Sequence, residues 1–414
     1  MDLDLRIFFW FRFVLGVFGR NGDSKLLPLV SKHQASVRIR HDGRPRMVRS
    51  SKSRVRVACA LVLFLLLPLS GCAFEDIDRR AFVTSIGLDQ SEVTGKKYSL
   101  ILKISLAKGD PKTIDSNFTL LKVNCNSISE GLDHLRSMSD KKLDFGYVKA
   151  LLFGEGVAKQ EIPLAVDYFM RRPDIQKIAY LGVGKPNAYE MLKFKPKEEA
   201  VAGSYLFYTF ERSCTQSPFV YAVPLYDAFR RINTPGLDLT LPVLELQQGV
   251  LQINKISLFD KKRWQEELTP EESKLLKLLT TGIRNDTFTL KAKNSTYSVS
   301  TEKGNTTYQL VEGNAFTTAI LTIKMQGALV ERLDESGVVT EEMKHALEKQ
   351  AEDQFQKKVS RLLIKMRNKS VDPLGFGLRY RSRHLNHTQD LQTWSTVYPH
   401  LKFQVLANYK LNEN

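Results

Sequence analysis

Apolar and polar positions alternate over residues 81–89 (AFVTSIGLD) and again over 97–109 (KYSLILKISLAKG), with QSEVTGKK between them. Successive side chains on a strand point to opposite faces, so the pattern predicts two strands joined as a hairpin. Within 127–142, Ile128, Leu132, Leu135 and Met138 then fall at helical spacing, with Ser127 or Ser129 as the N-cap. A buried strand is predicted over 147–156, a helix over 163–175 that Pro173 stops, a strand over 178–185, and a helix over 186–194 opened by Pro186. Residues 81–194 therefore read β-β-α-β-α-β-α, a mixed α/β unit. Two aromatic-rich helices follow at 201–213 and 222–233, then a strand at 236–246 and two short strands within 249–262. The helix at 269–282 is sharply marked. Thr269 is its cap, Pro270 its first residue, Glu272 stands three after the cap, and Gly282 closes it.

From residue 286 the texture changes. The segments DTFTLKA, TYSVSTE, TTYQLVE and AILTIKMQGALVE alternate as strands, with KGN (303–305) read as a tight turn. One long helix is predicted over 340–368, with Met343, Leu347, Ala351, Phe355, Val359, Leu362 and Met366 on one face. At 1.5 Å per residue it would be roughly 43 Å long. Pro373, Gly375 and Gly377 break it, and a last strand at 401–411 is expected beside the 316–330 strand. The fold class is α+β: a multi-domain mixed α/β chain, with an N-terminal α/β region followed by a C-terminal antiparallel-sheet domain with one long helix.

Ahead of the first strand the pattern is different in kind. Val57 to Leu69 is an apolar run of about thirteen residues, the size of a signal-peptide core and too short to span a membrane comfortably. Arg49, Lys52, Arg54 and Arg56 precede it, and Leu69-Ser70-Gly71-Cys72 follows. This order is that of a bacterial lipoprotein signal: small residues admit a peptidase, and the Cys72 thiol takes the diacylglycerol. Two acyl chains hold a protein on a bilayer where one binds only marginally. A free cysteine in a buried helix is the competing reading, but such a helix would not carry four cations on one flank and Glu75, Asp76, Asp78, Arg79 and Arg80 on the other. Residues 1–46 are read as a disordered extension or as a start set too far upstream of Met47, residues 47–71 as the signal peptide. IFFWFRFVLGVF (7–18), interrupted by Arg12, is a weak membrane-surface segment.

The leader also changes the charge picture. The chain's formal net charge is +16, but residues 1–71 hold 13 of its 61 Lys and Arg and only 4 of its 45 Asp and Glu. The remaining 48 against 41 leave +7, which suits an anionic membrane or wall polymer and gives no case for nucleic acid. Of four cysteines, Cys59 leaves with the signal and Cys72 is acylated. Cys125 and Cys214 remain, read as buried thiols before a disulfide.

Motifs that carry chemistry are few. GVGK (182–185) lacks the upstream glycine spacing of a phosphate loop, and Pro186 stands where a magnesium-holding hydroxyl belongs. His384 and His387 have ligand-like spacing without a cysteine pair or an HExxH motif. There is no GxSxG elbow, and Asp89 and Asp372 read as turn or capping carboxylates. No catalytic, cofactor or metal residue is assigned, and Cys72 as the lipidation site is the one site residue.

These residues carry a resemblance. SGCAFEDIDRRAFVTSIGLD (70–89) resembles the start of mature Ger(x)C-family spore germination lipoproteins, the C subunits of nutrient germinant receptors. The similarity lies in Gly71, Cys72, Glu75, Asp76, Arg80, Ala81, Phe82, Val83, Gly87 and Asp89. It continues through LDFGYVKALLFGEGVAKQEI (143–162), YFMRRPDI (168–175), LPVLEL (241–246), DPLGFG (372–377) and the closing W…YPHLKFQVLANYKL (394–411). Ala73 departs from the Trp that many relatives carry after the lipid cysteine. The resemblance implies two domains, 72–246 and 247–414, and a non-enzymatic protein without cofactor. It implies a place on the outer face of the spore inner membrane, held by diacylglycerol on Cys72, beside the receptor's A and B subunits. There it would scaffold the receptor or couple its signal. A solute-binding lipoprotein of a transport system shares the anchor and is the alternative. It requires two α/β lobes with regular alternation, which the strand block from 286 opposes.

Overall fold

The computed structural model describes residues 77–105, 118–195, 205–211, 217–292, 295–314, 316–332, 340–383 and 390–412. The leader with Cys72, Cys214, and the His384/His387 pair lie outside them. Strand β1 (Arg80–Gln90) pairs antiparallel with β2 (Tyr98–Ser105), the hairpin that the alternation predicts. Strand β3 (Phe118–Cys125), absent from the sequence reading, runs antiparallel to β2 at the sheet edge. Helix α1 (Ile128–Ser137) is capped by Ser127, which accepts a hydrogen bond from the Glu130 N–H. It ends short of the expected 142 because Lys142–Asp144 leaves as β4, parallel to the start of β1.

Next come β5 (Ala150–Gly154), buried throughout, α2 (Glu155–Gln160), and α3 (Ile162–Arg171), which stops before Pro173. Strand β6 (Tyr180–Lys185) leads to α4 (Ala188–Lys193), whose cap is Asn187, so Pro186 lies just outside the helix it was expected to open. Helix α5 (Tyr205–Phe210), β7 (Val223–Pro224) and α6 (Leu225–Asn233) follow, then β8 (Thr240–Gln247), β9 (Val250–Phe259) and β10 (Trp264–Glu267). The two short strands expected within 249–262 are one continuous strand.

These strands make one sheet in the order β10-β9-β8-β6-β5-β1-β2-β3. Its centre, β8-β6-β5-β1, is parallel, and the flanking strands are antiparallel. Alternate residues face opposite layers. Leu152, Ile101 and Leu244 pack with α4 and α5 on one side. Leu151, Phe153, Leu100 and Leu102 pack with α1, α3 and α6 on the other. Parallel strands buried on both faces read as near-continuous apolar runs, as ALLFG does here.

Helix α7 (Pro270–Thr280) carries the expected capping box, with Thr269 and Glu272 bonding each other's backbone. It leads to the second sheet, β11-β12-β13-β14, made of β11 (Asp286–Ala292), β12 (Ser295–Glu312), β13 (Thr317–Arg332) and β14. The expected KGN turn does not exist: β12 is a single strand of 18 residues that passes straight through it with a local irregularity between Thr301 and Lys303. The glycine is there for packing. A Cβ on Gly304 would lie 2.9 Å from both Ile283 Cγ1 and Leu278 Cδ1, so its absence lets α7 and the loop after it close on the strand.

Helix α8 (Glu341–Asn368) buries Leu347, Ala351, Phe355, Val359, Leu362 and Met366 as the stripe predicts. The Phe355 ring stands between Phe288 of β11 and Tyr409 of β14, at 4.8 and 6.3 Å. After α9 (Phe376–Arg381) and α10 (Asp390–Val397), β14 (Lys402–Leu411) lies beside β13, as expected, but parallel to it. The second sheet is thus three antiparallel strands closed by one parallel strand. The parallel pairing follows from the α8 crossover, which returns the chain to the same end of the sheet. One continuous core runs from Leu100 and Phe153 to Val405 and Tyr409.

Candidate functional site

Among the described residues, the largest concentration of buried charge lies where the two sheets meet. Two loops form it: 234–238, after α6, and 371–375, between α8 and the start of α9. Asp372 is 2 % exposed, and Asp238 and Arg231 are 8 % exposed each. The two aspartates are laced by their backbones. Asp238 N–H donates to the Asp372 carbonyl at 2.8 Å, and Asp372 N–H donates to Asp238 Oδ2 at 2.7 Å.

Asp372 is a loop cap of unusual completeness. Its Oδ1 accepts from the N–H groups of Gly375 (2.9 Å) and Phe376 (3.1 Å), and its Oδ2 from Gly377 (2.7 Å). These are the free donors at the start of α9. Gly375 sits at φ +77°, a left-handed conformation that glycine takes without strain. Gly236, at φ +75°, faces Gly377 so closely that its carbonyl accepts from the Leu378 N–H at 3.0 Å.

Cations seal the seam. Arg231 reaches both loops, donating to the carbonyls of Asp238 (3.2 Å) and Pro373 (3.1 Å) while its Nε holds Asp227 Oδ2 at 2.7 Å. Lys261 donates to the carbonyls of Arg231 (2.5 Å), Thr234 (2.7 Å) and Leu237, and lies 3.3 Å from Asp238. From β12, Tyr308 donates to the carbonyls of Leu374 and Gly375, and from the 3-10 turn before β14, Tyr398 donates to that of Val371 at 2.6 Å. Burial depresses the Lys261 ammonium and raises the Asp238 carboxyl.

Burial also raises Asp372, to about 7, against the pull of its three N–H donors. An unfolded aspartate releases its proton near pH 3.9. The folded chain therefore keeps a proton that the unfolded chain loses. Stability from this group is full below pH 4 and declines as pH rises to about 7, by an upper bound of about 4 kcal/mol. Urea unfolding at several pH values should show this decline in the native chain, and Asp372→Asn should flatten it; an equal slope in both would assign it elsewhere.

Other residues singled out from sequence resolve as structural. Asp89, at the end of β1, accepts from the Ala188 (2.6 Å) and Tyr189 (3.0 Å) N–H groups and so caps α4. Lys185 of GVGK is paired with Glu267 at 2.9 Å and Glu245 at 3.3 Å, and Lys255 joins the same carboxylates. That is an ion network on adjacent strands, opposite in character to a phosphate cradle. Cys125 is buried and free. Among the described residues no three His, Cys, Asp or Glu side chains come together to hold a metal, and no helix is long and apolar enough to cross a membrane.

Asp372 is legible in the sequence as a capping carboxylate, and its partners are not. Arg231 had a signal: with Leu225 and Ala228 it continues the three-residue spacing of the buried stripe of α6, which places a cation on an apolar face. Asp238 and Lys261 had none, because their neighbours lie far along the chain.

Comparison with known proteins adds to this geometry. Residues 74–246 match the family described as spore germination protein N-terminal domain, and residues 254–414 match the spore germination B3/GerAC-like C-terminal family. The spore germination protein GerQC of Bacillus cereus is 24% identical over 371 residues, covering 85% of this chain and 98% of that protein. The crystal structure of the GerBC protein shares the fold, with a TM-score of 0.54 at 15% identity, over 79% of this chain and 97% of that one.

Proposed function

Since the chain belongs to the GerAC family of spore germination proteins, we propose that it is the C subunit of a nutrient germinant receptor, needed for germination in response to that nutrient. The two family matches, which together run from residue 74 to 414, carry this reading. The subunit is held on the outer face of the spore inner membrane by diacylglycerol on Cys72, beside the receptor's A and B subunits. Residues 47–71 serve as its signal peptide, and 72–246 and 247–414 are its two domains. Tethering raises its concentration at the membrane, so that weak contacts with the other subunits suffice. Its role is to scaffold the receptor or to couple a shift in one subunit to the others. The buried seam supports coupling, because it ties the two sheets through directed bonds that cannot slide freely.

The test is nutrient-triggered germination. Spores carrying Cys72→Ala should lose most of the response to one amino acid or sugar, with less of the protein in the inner-membrane fraction, while germination by added dipicolinate is kept. Deletion of the gene in a strain stripped of its other receptors should abolish the same response. If the deletion changes nothing there and uptake of a solute falls, the transport reading replaces this one.

A further inference from the structure

One face of the second sheet has no described helix or strand packed across it, although at its β12 edge Lys303 and Asn305 border the 281–285 loop and a cleft shared with Phe210 and Ser217. Helices α7 and α8 take the other, against Gly304, Leu321, Ile323 and Tyr409. On the open side, the pairing register aligns Lys303 with Gln326 and Lys410, and Lys324 with Asn305 and Asn408. Lys402 lies toward the far end, with its ammonium 4.2 Å over the Phe316 ring. All four lysines are exposed, and among the described residues none has an ion pair. The open positions of β12 from 303, of β13 from 318 to 328, and of β14 include no Asp or Glu; Glu302 at the irregularity and Glu331 opposite Ser298 stand just past this block, at its Lys303 end. From Lys402 to Lys410 the face runs about 27 Å.

Its composition says what it fits. Protein interfaces concentrate aromatic residues and Arg at their centre and are depleted in Lys. Here the centre is Thr, Gln and Asn, with Ile320 and Leu406 apart among them, and every cation is Lys. Lysines at a phospholipid surface keep their heads among the phosphates while the stems cover apolar ground. We infer that this open face of β12, β13 and β14 rests against anionic phospholipid headgroups, holding the domain down on the bilayer at a point separate from the acyl chain. The inference rests on the membrane placement proposed above, and its test keeps the two apart.

The full chain is mixed with vesicles of phosphatidylglycerol and phosphatidylcholine, or of phosphatidylcholine alone. Flotation reports anchoring, and amine labelling read by mass spectrometry reports which lysines are covered. Labelling of Lys303, Lys324, Lys402 and Lys410 should slow by about fivefold on the anionic vesicles, the partitioning that one lysine gains at such a surface. Lys349 and Lys357, exposed on α8, should label as before. In Lys324→Gln/Lys410→Gln the protection of Lys303 and Lys402 should vanish, whereas in Lys349→Gln/Lys357→Gln, with the same charge removed, it should persist. Labelling unchanged by anionic vesicles overturns the inference, as does equal protection on neutral ones. Protection already present without vesicles assigns the face to a second copy, and a crosslinker at position 324 that captures another receptor subunit in spores assigns it to protein. Failure to float with neutral vesicles counts against the acyl anchor alone, since labelling on anionic vesicles is still read.

Discussion

Gly236→Ala should lower the unfolding free energy by roughly 2–6 kcal/mol. Two terms add. Gly236 holds φ +75°, and a residue with a Cβ is strained in that region by about 1–3 kcal/mol. The new Cβ would also lie 2.5 Å from the Gly377 carbonyl carbon, 2.7 Å from its Cα and 2.7 Å from Leu378 N. All three are backbone atoms, so no side chain can swing aside, and displacement of this kind costs about 1–3 kcal/mol. The loops must part, and the Gly236–Leu378 hydrogen bond goes with the contact. Urea unfolding followed by circular dichroism checks the loss. A change below about 1 kcal/mol, within the scatter of ordinary surface substitutions and their neighbours, would mean that the seam yields easily and transmits little.

Asp372→Ala should cost about 3–5 kcal/mol, because it leaves the N–H groups of Gly375, Phe376 and Gly377 buried without an acceptor. Asp372→Asn, which keeps one oxygen, should be milder at neutral pH. The two sites touch, so the double variant Gly236→Ala/Asp372→Ala should lose less than the sum of the singles. Additive losses would show that the two loops act independently. In spores, a variant that still reaches the membrane in normal amount but no longer supports the nutrient response would separate coupling from simple loss of fold.

Where the chain could be read from its sequence, the cause was local. Thr269, Pro270 and Glu272 define a helix start within four residues, and the α8 stripe repeats within each turn. Of the strands missed, β3 and β10 are the two edges of the first sheet, and β4 and β7 are pieces of three and two residues off its main path. The residues of β3 and β10 are mostly half-exposed on both faces, so alternation is weak where it is needed for recognition. The KGN misreading has another origin. Glycine marks turns because of its free φ, but Gly304 is used for its missing side chain, and the atoms that require it, in Leu278 and Ile283, come from another element. The seam illustrates both limits. Asp372 and its donors lie within five residues, and its capping chemistry was legible. Asp238 meets it across 134 residues, and no local pattern announces such a partner.

The parallel pairing of β14 governs when this protein can finish folding. β13 ends at Arg332 and must wait, with one long side unpaired, until α8 and everything up to Leu411 has been made. Until then Phe355 of α8 lacks the Tyr409 ring that stacks beside it, and the inner face of the sheet is open to other chains. A parallel strand joined across so long a crossover is slow to form and exposes an edge while it forms. If the chain crosses the membrane from its N-terminus, its last strand is the last to arrive. The second sheet is then completed outside, on a chain whose first sheet has already had all of its strands to hand.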